Sequence, residues 1–160
     1  MALLLEGRPV ARAILDQARD DIAVFVTQNG ATPSLAVVNA GNDPSARAYA
    51  RAIERTAKAI GVHFQRVDLP ADVDPTAFDA TIEQLNVDPL VGGMIVLQPL
   101  PPQLSKTRPS EIVSPAKDID GMTLVNIGRL NAGSALLVPS TPAGGVEILR
   151  QYQIPLAGQH

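Results

Sequence analysis

Two short, uninterrupted apolar runs, at residues 35–38 and 92–97, are separated by stretches in which apolar residues return every three or four positions. Runs of that length without polar alternation suit strands buried on both faces. The stripes between and around them suit helices: Val10, Ile14, Ala18, Ile22 and Phe25, then Ala46, Tyr49, Ile53, Ala57 and Ile60, then Phe78, Ile82 and Leu85. Strands alternating with helices imply βαβ units, because parallel strands need a crossover. The pattern predicts an α/β fold of three layers, αβα, with a mostly parallel sheet flanked by helices. Aromatics are scarce, with three Phe, two Tyr and no Trp. The interior must therefore be built from Ala, Val, Leu and Ile.

Residues 3–5 form a further short strand candidate, and residues 63–69 another. Pro9 can sit in the first turn of a helix that Asn29-Gly30 stops, and Pro75 opens a later one. The stretch 103–121 reads as mostly irregular, with Pro109 and Pro115 as breakers. Val125, Ile127 and Leu130 suggest a short helical piece. Thr141 as N-cap and Pro142 at the first helical position start a last helix, with Val146, Ile148, Leu149 and Tyr152 on its apolar face. Sheets of this class bind ligands beyond the carboxyl ends of their strands. Here those ends are the loops at 39–44 and 98–102.

Several function classes are disfavoured at once. With no cysteine, disulfides, thiol catalysis and cysteine-ligated metals are excluded. His63 and His160 are isolated, so no metal site is supported. The net charge is −3 without a basic stripe, which argues against nucleic acid. The apolar run before Glu6 is too short for a signal peptide, and no later run reaches membrane-spanning length. The expectation is a soluble, cytoplasmic protein with no membrane partner.

Five segments in order carry a resemblance. They are Gly41-Asn42-Asp43-Pro44 with Tyr49 following, Val96-Leu97-Gln98-Pro99-Leu100-Pro101, Pro115-Ala116-Lys117-Asp118-Ile119-Asp120-Gly121, Asn126-Ile127-Gly128-Arg129-Leu130, and Pro139-Ser140-Thr141-Pro142-Ala143-Gly144. Together they resemble the N-terminal, folate-binding half of the bifunctional methylenetetrahydrofolate dehydrogenase/methenyltetrahydrofolate cyclohydrolase family. The resemblance implies a tetrahydrofolate-type ligand. It implies NADP as cofactor of the complete family protein, with the NADP site not on this chain. No Gly-x-Gly-x-x-Gly follows a strand here. The expected division is residues 1–142 as the folate-binding, catalytic-type domain. Residues 143–160 would be a connecting helix and the start of an otherwise absent NADP-binding domain.

By that resemblance, Tyr49 stacks on the folate ring and Asp120 binds the amino-pyrimidinone edge of the pterin. One carboxylate can accept two parallel N–H bonds from such an edge. Pro99, Leu100, Pro101 and Gly121 belong to the same substrate-binding motifs. Asp118 is expected to tie down the loop. Thr141 could face the nicotinamide in a complete protein, although its role as a helix cap is sufficient explanation.

The expected catalytic set departs from the family pattern in two places. Ile53 stands where the family has its proton-transferring lysine, and an alkyl chain can neither donate, accept nor carry charge. Arg51, Arg55 and Lys58 lie off the Tyr49–Ile53 stripe, so none replaces it. Leu97 and Gln98 reverse the family's Gln-Leu order. In extended backbone that exchange turns the amide to the other face, and Gln98 reaches the pocket only if the Pro99 turn has already begun. The expectation is a member of folate one-carbon metabolism with impaired or lost cyclohydrolase chemistry and no dehydrogenase activity by itself. The alternative is a non-catalytic folate- or pterin-binding module. A homodimer is left open.

Overall fold

The computed structural model describes residues 3–158. Met1, Ala2, Gln159 and His160 lie outside the described residues, and with them the expectation placed on His160. The described residues form three strands, β1 (Ser34–Ala40), β2 (His63–Leu69) and β3 (Gly93–Val96). Six helices accompany them: α1 (Gly7–Asn29), α2 (Pro44–Ile60), α3 (Pro75–Val87), α4 (Arg108–Ile112), α5 (Leu124–Asn131) and α6 (Ser140–Gln151).

The sheet has order β2-β1-β3 and every pairing in it is parallel. Val37 of the central strand lies opposite Arg66 on one side and Ile95 on the other. Successive side chains of β1 enter different cores, as the two-residue period of a strand requires. Ala36, Val38 and Ala40 join Met94 and the α3 residues Phe78, Ile82 and Leu85. Val37 joins Ile95, Leu97 and the α2 residues Ala46 and Ala50. Burial on both faces makes three layers, and it explains why β1 shows no polar alternation. The α2 layer uses alanine because small side chains let the helix approach the sheet closely.

The helix starts follow from their flanking residues. The Asp43 carboxylate accepts from the N–H groups of Ser45 and Ala46 at 2.9 and 2.8 Å, with Pro44 in the first turn. Asp74 accepts from Thr76 N–H at 2.8 Å ahead of Pro75. Both are caps that satisfy otherwise orphaned donors.

Four expectations need correction. Residues 3–5 are not a strand; Leu3 and Leu4 stay exposed, since three apolar residues are too few to hold a register at a sheet edge. That segment is fastened instead by Glu6 N–H donating to the Tyr152 hydroxyl at 3.0 Å. Pro109 does not break structure. It sits in the first turn of α4, where the missing N–H costs nothing. Thr141 is not the cap of α6: the helix begins at Ser140, two residues earlier than expected, Pro139 holds the cap position, and Thr141 lies inside the first turn. The first helix buries only Val10 of its expected face, and Ile14 and Phe25 remain exposed, because α1 packs along α2 and α6 rather than on the sheet. No described helix is long and apolar enough to cross a membrane.

Candidate functional site

An open cleft of about 580 Å³ runs beside β3. It is lined by Tyr49 of α2, Ile95 and Gln98 at the end of β3, Lys106 ahead of α4, Asp120, and Thr141 of α6. Of the residues expected from sequence, Tyr49, Gln98, Asp120 and Thr141 share this space. Of the two expected loops, only the one after β3 contributes, through Gln98; none of residues 39–44 lines the cleft, and Asp43 among them caps α2. Tyr49 is 54% exposed, so its ring face is open rather than sealed in the core.

The two aspartates of the Lys-Asp-Ile-Asp-Gly segment do different things. Asp118 is buried and accepts from Met122 N–H at 3.1 Å, Thr123 N–H at 2.7 Å and Asn126 Nδ2 at 2.9 Å. Burial pushes its carboxyl upward. The hydrogen bonds from Thr123, Asn126 and Met122 more than offset that and hold it below the usual carboxylate range. It ties down the loop, as expected. Lys117 anchors the same segment by donating to the carbonyls of Leu85 and Asp88 at 2.8 and 2.6 Å, at the end of α3. Asp120 takes part in no hydrogen bond among the described residues. Burial, and then the negative charge of Asp118, push its carboxyl above the usual range. A half-buried carboxylate without partners, facing a cleft, is poised to accept donors from a ligand.

Gly121 turns the chain immediately after Asp120. Its φ is +64°, and a Cβ there would meet Pro139 N at 3.1 Å and Val138 C at 3.2 Å. Only glycine combines that backbone with that approach. Its place is structural, beneath Pro139 on the cleft wall.

Ile53 and Leu97 meet in one apolar cluster. Leu97 is 4% exposed beside Val37, Ala46, Ala50 and Ile95, and Ile53 packs against the same group. Neither is among the residues lining the cleft. The strand ends at Val96, and Leu97 N–H still donates to Val38 O at 2.9 Å, so Leu97 continues the inward alternation. Gln98 stands past the end, before a cis peptide to Pro99, and lines the cleft while its Oε1 accepts from Leu100 N–H at 3.2 Å. The glutamine thus borders the cleft although it is displaced by one position. Pro99, Leu100 and Pro101 do not line the cleft; Leu100 packs against the α3 core and Pro101 is buried. Arg51 and Arg55 point to solvent, and Lys58 is paired with Glu54 at 2.6 Å.

Sequence reasoning did not single out Lys106, Thr107 or Ser110, which line the wall opposite the strand ends. They fall in a stretch with no periodic pattern. The only available signal was a polar Ser-Lys-Thr run just beyond the Pro-Leu-Pro segment.

Among the described residues, no group of three His, Asp or Glu side chains could hold a metal ion. Two helix starts in this sheet do not suit the pyrophosphate of a dinucleotide. The helix N-termini after β1 and β2, where a pyrophosphate would sit in such folds, already hold the carboxylates of Asp43 and Asp74. A pyrophosphate there would meet like charge.

Similar proteins point the same way. Residues 5–120 match the family described as tetrahydrofolate dehydrogenase/cyclohydrolase, catalytic domain. The chain is 39% identical over 159 residues to the bifunctional protein FolD of Roseiflexus sp. strain RS-1, covering 99% of this chain and 55% of that protein. Among solved structures, the methylenetetrahydrofolate dehydrogenase of the silkworm Bombyx mori superposes with a TM-score of 0.92 at 30% identity, covering 96% of this chain and 53% of that one. The Trypanosoma brucei methylenetetrahydrofolate dehydrogenase-cyclohydrolase, complexed with NADP cofactor and inhibitor, gives 0.93 at 28% identity, covering 99% and 54%. The chain therefore spans about half the length of the relatives it matches. With the matched segment reaching over most of its length and the three-layer parallel fold to carry it, this chain belongs to the tetrahydrofolate dehydrogenase/cyclohydrolase family, in the part that family uses as its catalytic domain.

Proposed function

We propose that this chain is the folate-binding half of a methylenetetrahydrofolate dehydrogenase/methenyltetrahydrofolate cyclohydrolase, with impaired or lost chemistry of its own. The observation that carries the reading is that Tyr49 and Asp120, from segments far apart in sequence, face one open cleft. A flat pterin packs on the exposed tyrosine ring. Its amino-pyrimidinone edge donates two N–H bonds to the unpartnered Asp120 carboxylate. Gln98 and Thr141 complete the polar rim. NADP belongs to residues beyond those described, with 1–142 as the folate-binding body. Residues 143–160 are the connector, which carries most of α6, the helix packed against α1.

Hydrolysis of the methenyl cation adds water to the one-carbon unit, opens a C–N bond and releases a proton. That proton needs an acceptor beside the attacked carbon. Hydrocarbon at position 53 supplies none, and loss of a general base costs about 10²- to 10⁴-fold.

Calorimetric titration of the full chain with tetrahydrofolate tests the binding. Asp120→Asn removes the acceptor pair for the pterin edge, and hydrogen bonds to a charged group are worth about 1.5–3 kcal/mol, so affinity should fall roughly 100-fold. Unchanged affinity in that variant sinks the reading. The same substitution should raise, not lower, the melting temperature of the ligand-free chain at pH 7. The folded state holds the Asp120 proton more tightly than the unfolded one. Its stability contribution is therefore full at acid pH and is lost as pH rises through the raised value. An amide removes that cost. Tetrahydrofolate affinity should run the other way, weakening as pH falls through the same range, because the ionised carboxylate is the acceptor.

A further inference from the structure

We propose that Met122 is an oxidation site: a hydroperoxide takes its thioether to the sulfoxide, and the sulfoxide lowers the affinity of the cleft for its ligand. The oxidation follows from exposure; the loss of affinity rests on the folate reading of the cleft.

The chain has no cysteine, so no thiol competes for a two-electron oxidant, and the thioethers are its softest nucleophiles. It has three methionines, of which Met1 lies outside the described residues. Met94 borders the cleft but is only 1% exposed, packed in the core with Phe78, Ile82 and Leu85. Met122 lines the same cleft and is 53% exposed. The two sulfurs have the same chemistry and differ in access. A peroxide in solution meets Met122 directly, whereas Met94 has to wait for the core around it to open.

The backbone that carries Met122 is fixed. Its N–H donates to Asp118 at 3.1 Å, and the N–H of Thr123 donates to the same carboxylate at 2.7 Å. Thr123 is buried and caps α5 through its side chain. On the other side, Gly121 turns at a φ of +64° close under Val138 and Pro139. The loop therefore cannot carry the side chain away from the cleft, and a change in its polarity is felt there.

In the step itself a sulfur lone pair attacks one peroxide oxygen. The S–O bond forms as the O–O bond breaks, and the departing hydroxide takes a proton to become water. Sulfur loses two electrons and the peroxide gains them. The product carries a strong acceptor oxygen where the thioether was apolar. A flat ring packed on this wall would strip water from that oxygen and offer no bond in return, which opposes binding. The sulfoxide cannot donate to the unpartnered Asp120 carboxylate two residues away, so it brings that group no compensating partner. A sulfoxide reductase drawing on a dithiol returns the sulfur to the thioether, with water and a disulfide as products, so the change is reversible.

The test treats the full chain with hydrogen peroxide, removes the excess with catalase, and reads peptide masses, melting temperature and tetrahydrofolate affinity on one sample. The Met122 peptide should gain one oxygen well before the Met94 peptide. The melting temperature should stay where it was, and the affinity should fall about 10-fold. Methionine sulfoxide reductase with a dithiol should restore it. Met122→Gln, polar without any oxidant, should weaken tetrahydrofolate to a similar extent. Met122→Leu has no sulfur at this position, so peroxide should not alter whatever affinity that variant starts with. Oxidation of Met94 as fast as Met122 overturns the inference. So does an oxidised Met122 with unchanged affinity, or a peroxide effect that persists in Met122→Leu, and either leaves the folate reading standing. If the untreated chain binds no tetrahydrofolate, the folate reading fails and the loss of affinity goes with it, while the masses still decide whether Met122 is the site.

Discussion

Replacing Ile53 with lysine is expected to raise the rate of methenyltetrahydrofolate hydrolysis by about 10²- to 10⁴-fold over the unaltered chain. Position 53 lies one helical turn beyond Tyr49 on α2, so the two share a face. Ile53 is half-buried against a cluster that includes Ile95, and Ile95 is itself part of the cleft wall. A lysine can lay its methylenes over that cluster and carry its amine to the water of the cleft. The companion change, Leu97→Gln, should not be added. Leu97 is 4% exposed among hydrocarbon, and an unpartnered amide there would cost about 1–3 kcal/mol. Gln98 already borders the cleft. The measurement is the decay of methenyl absorbance, with Ile53→Met as the hydrocarbon control at background. A folded Ile53→Lys chain that binds tetrahydrofolate yet turns over no faster would show that the missing lysine does not limit the chemistry. Turnover in the unaltered chain that disappears in Tyr49→Ala would show that the chemistry was never lost.

The largest loss of stability is expected from Asp118→Ala, about 3–5 kcal/mol, or roughly 10 °C in melting temperature for a chain of this size. The carboxylate gathers two backbone N–H groups and the Asn126 amide at one point, and alanine leaves all of them without that acceptor, with Thr123 and Asn126 themselves buried. Asn126 is fully buried, and its Oδ1 has no partner among the described residues, so this region has no slack to absorb another unpaired group. The pH dependence has a definite sign. The folded carboxyl lies below its ordinary value, so its contribution is full above the unfolded pKa and disappears as pH falls through the folded one. The difference between wild type and Asp118→Ala should therefore be widest near neutrality and should shrink below about pH 4. A melting temperature within a degree or two of wild type would show that the loop is held by Lys117 alone. The neighbouring Asp120→Asn should move stability the opposite way, which separates the structural acid from the ligand-facing one although they are two residues apart.

Much of the fold was legible in the linear chain. The stripe Phe78, Ile82 and Leu85 is fully inward as read, and the apolar run at 35–38 sits inside the central strand. These are local signals, in which periodicity and flanking caps decide the element. Legibility failed where an outcome depended on neighbours. Residues 3–5 look like a strand, but pairing needs a partner edge. Pro109 looks like a breaker, but a helix can start on it. Thr141 looks like a cap, but the helix starts at Ser140 with Pro139 at the cap position, close over Gly121. The facing of Leu97 and Gln98 depended on where β3 stops, and a shift of one residue reverses the answer.

The amino-acid order by itself determined the α/β class, the position of most elements, the family motifs and the hydrocarbon at position 53, because each is carried by residues near one another in the chain. Only the tertiary structure decided that Tyr49, Gln98, Lys106 and Asp120 face the same water, that Ile53 and Leu97 share one apolar cluster, and that Asp118 is spent while Asp120 is free. Those facts rest on the sheet order β2-β1-β3, which brings distant loops to one side of β3. Strand order is a choice among long-range pairings whose free energies differ by packing, and packing is written in no single segment.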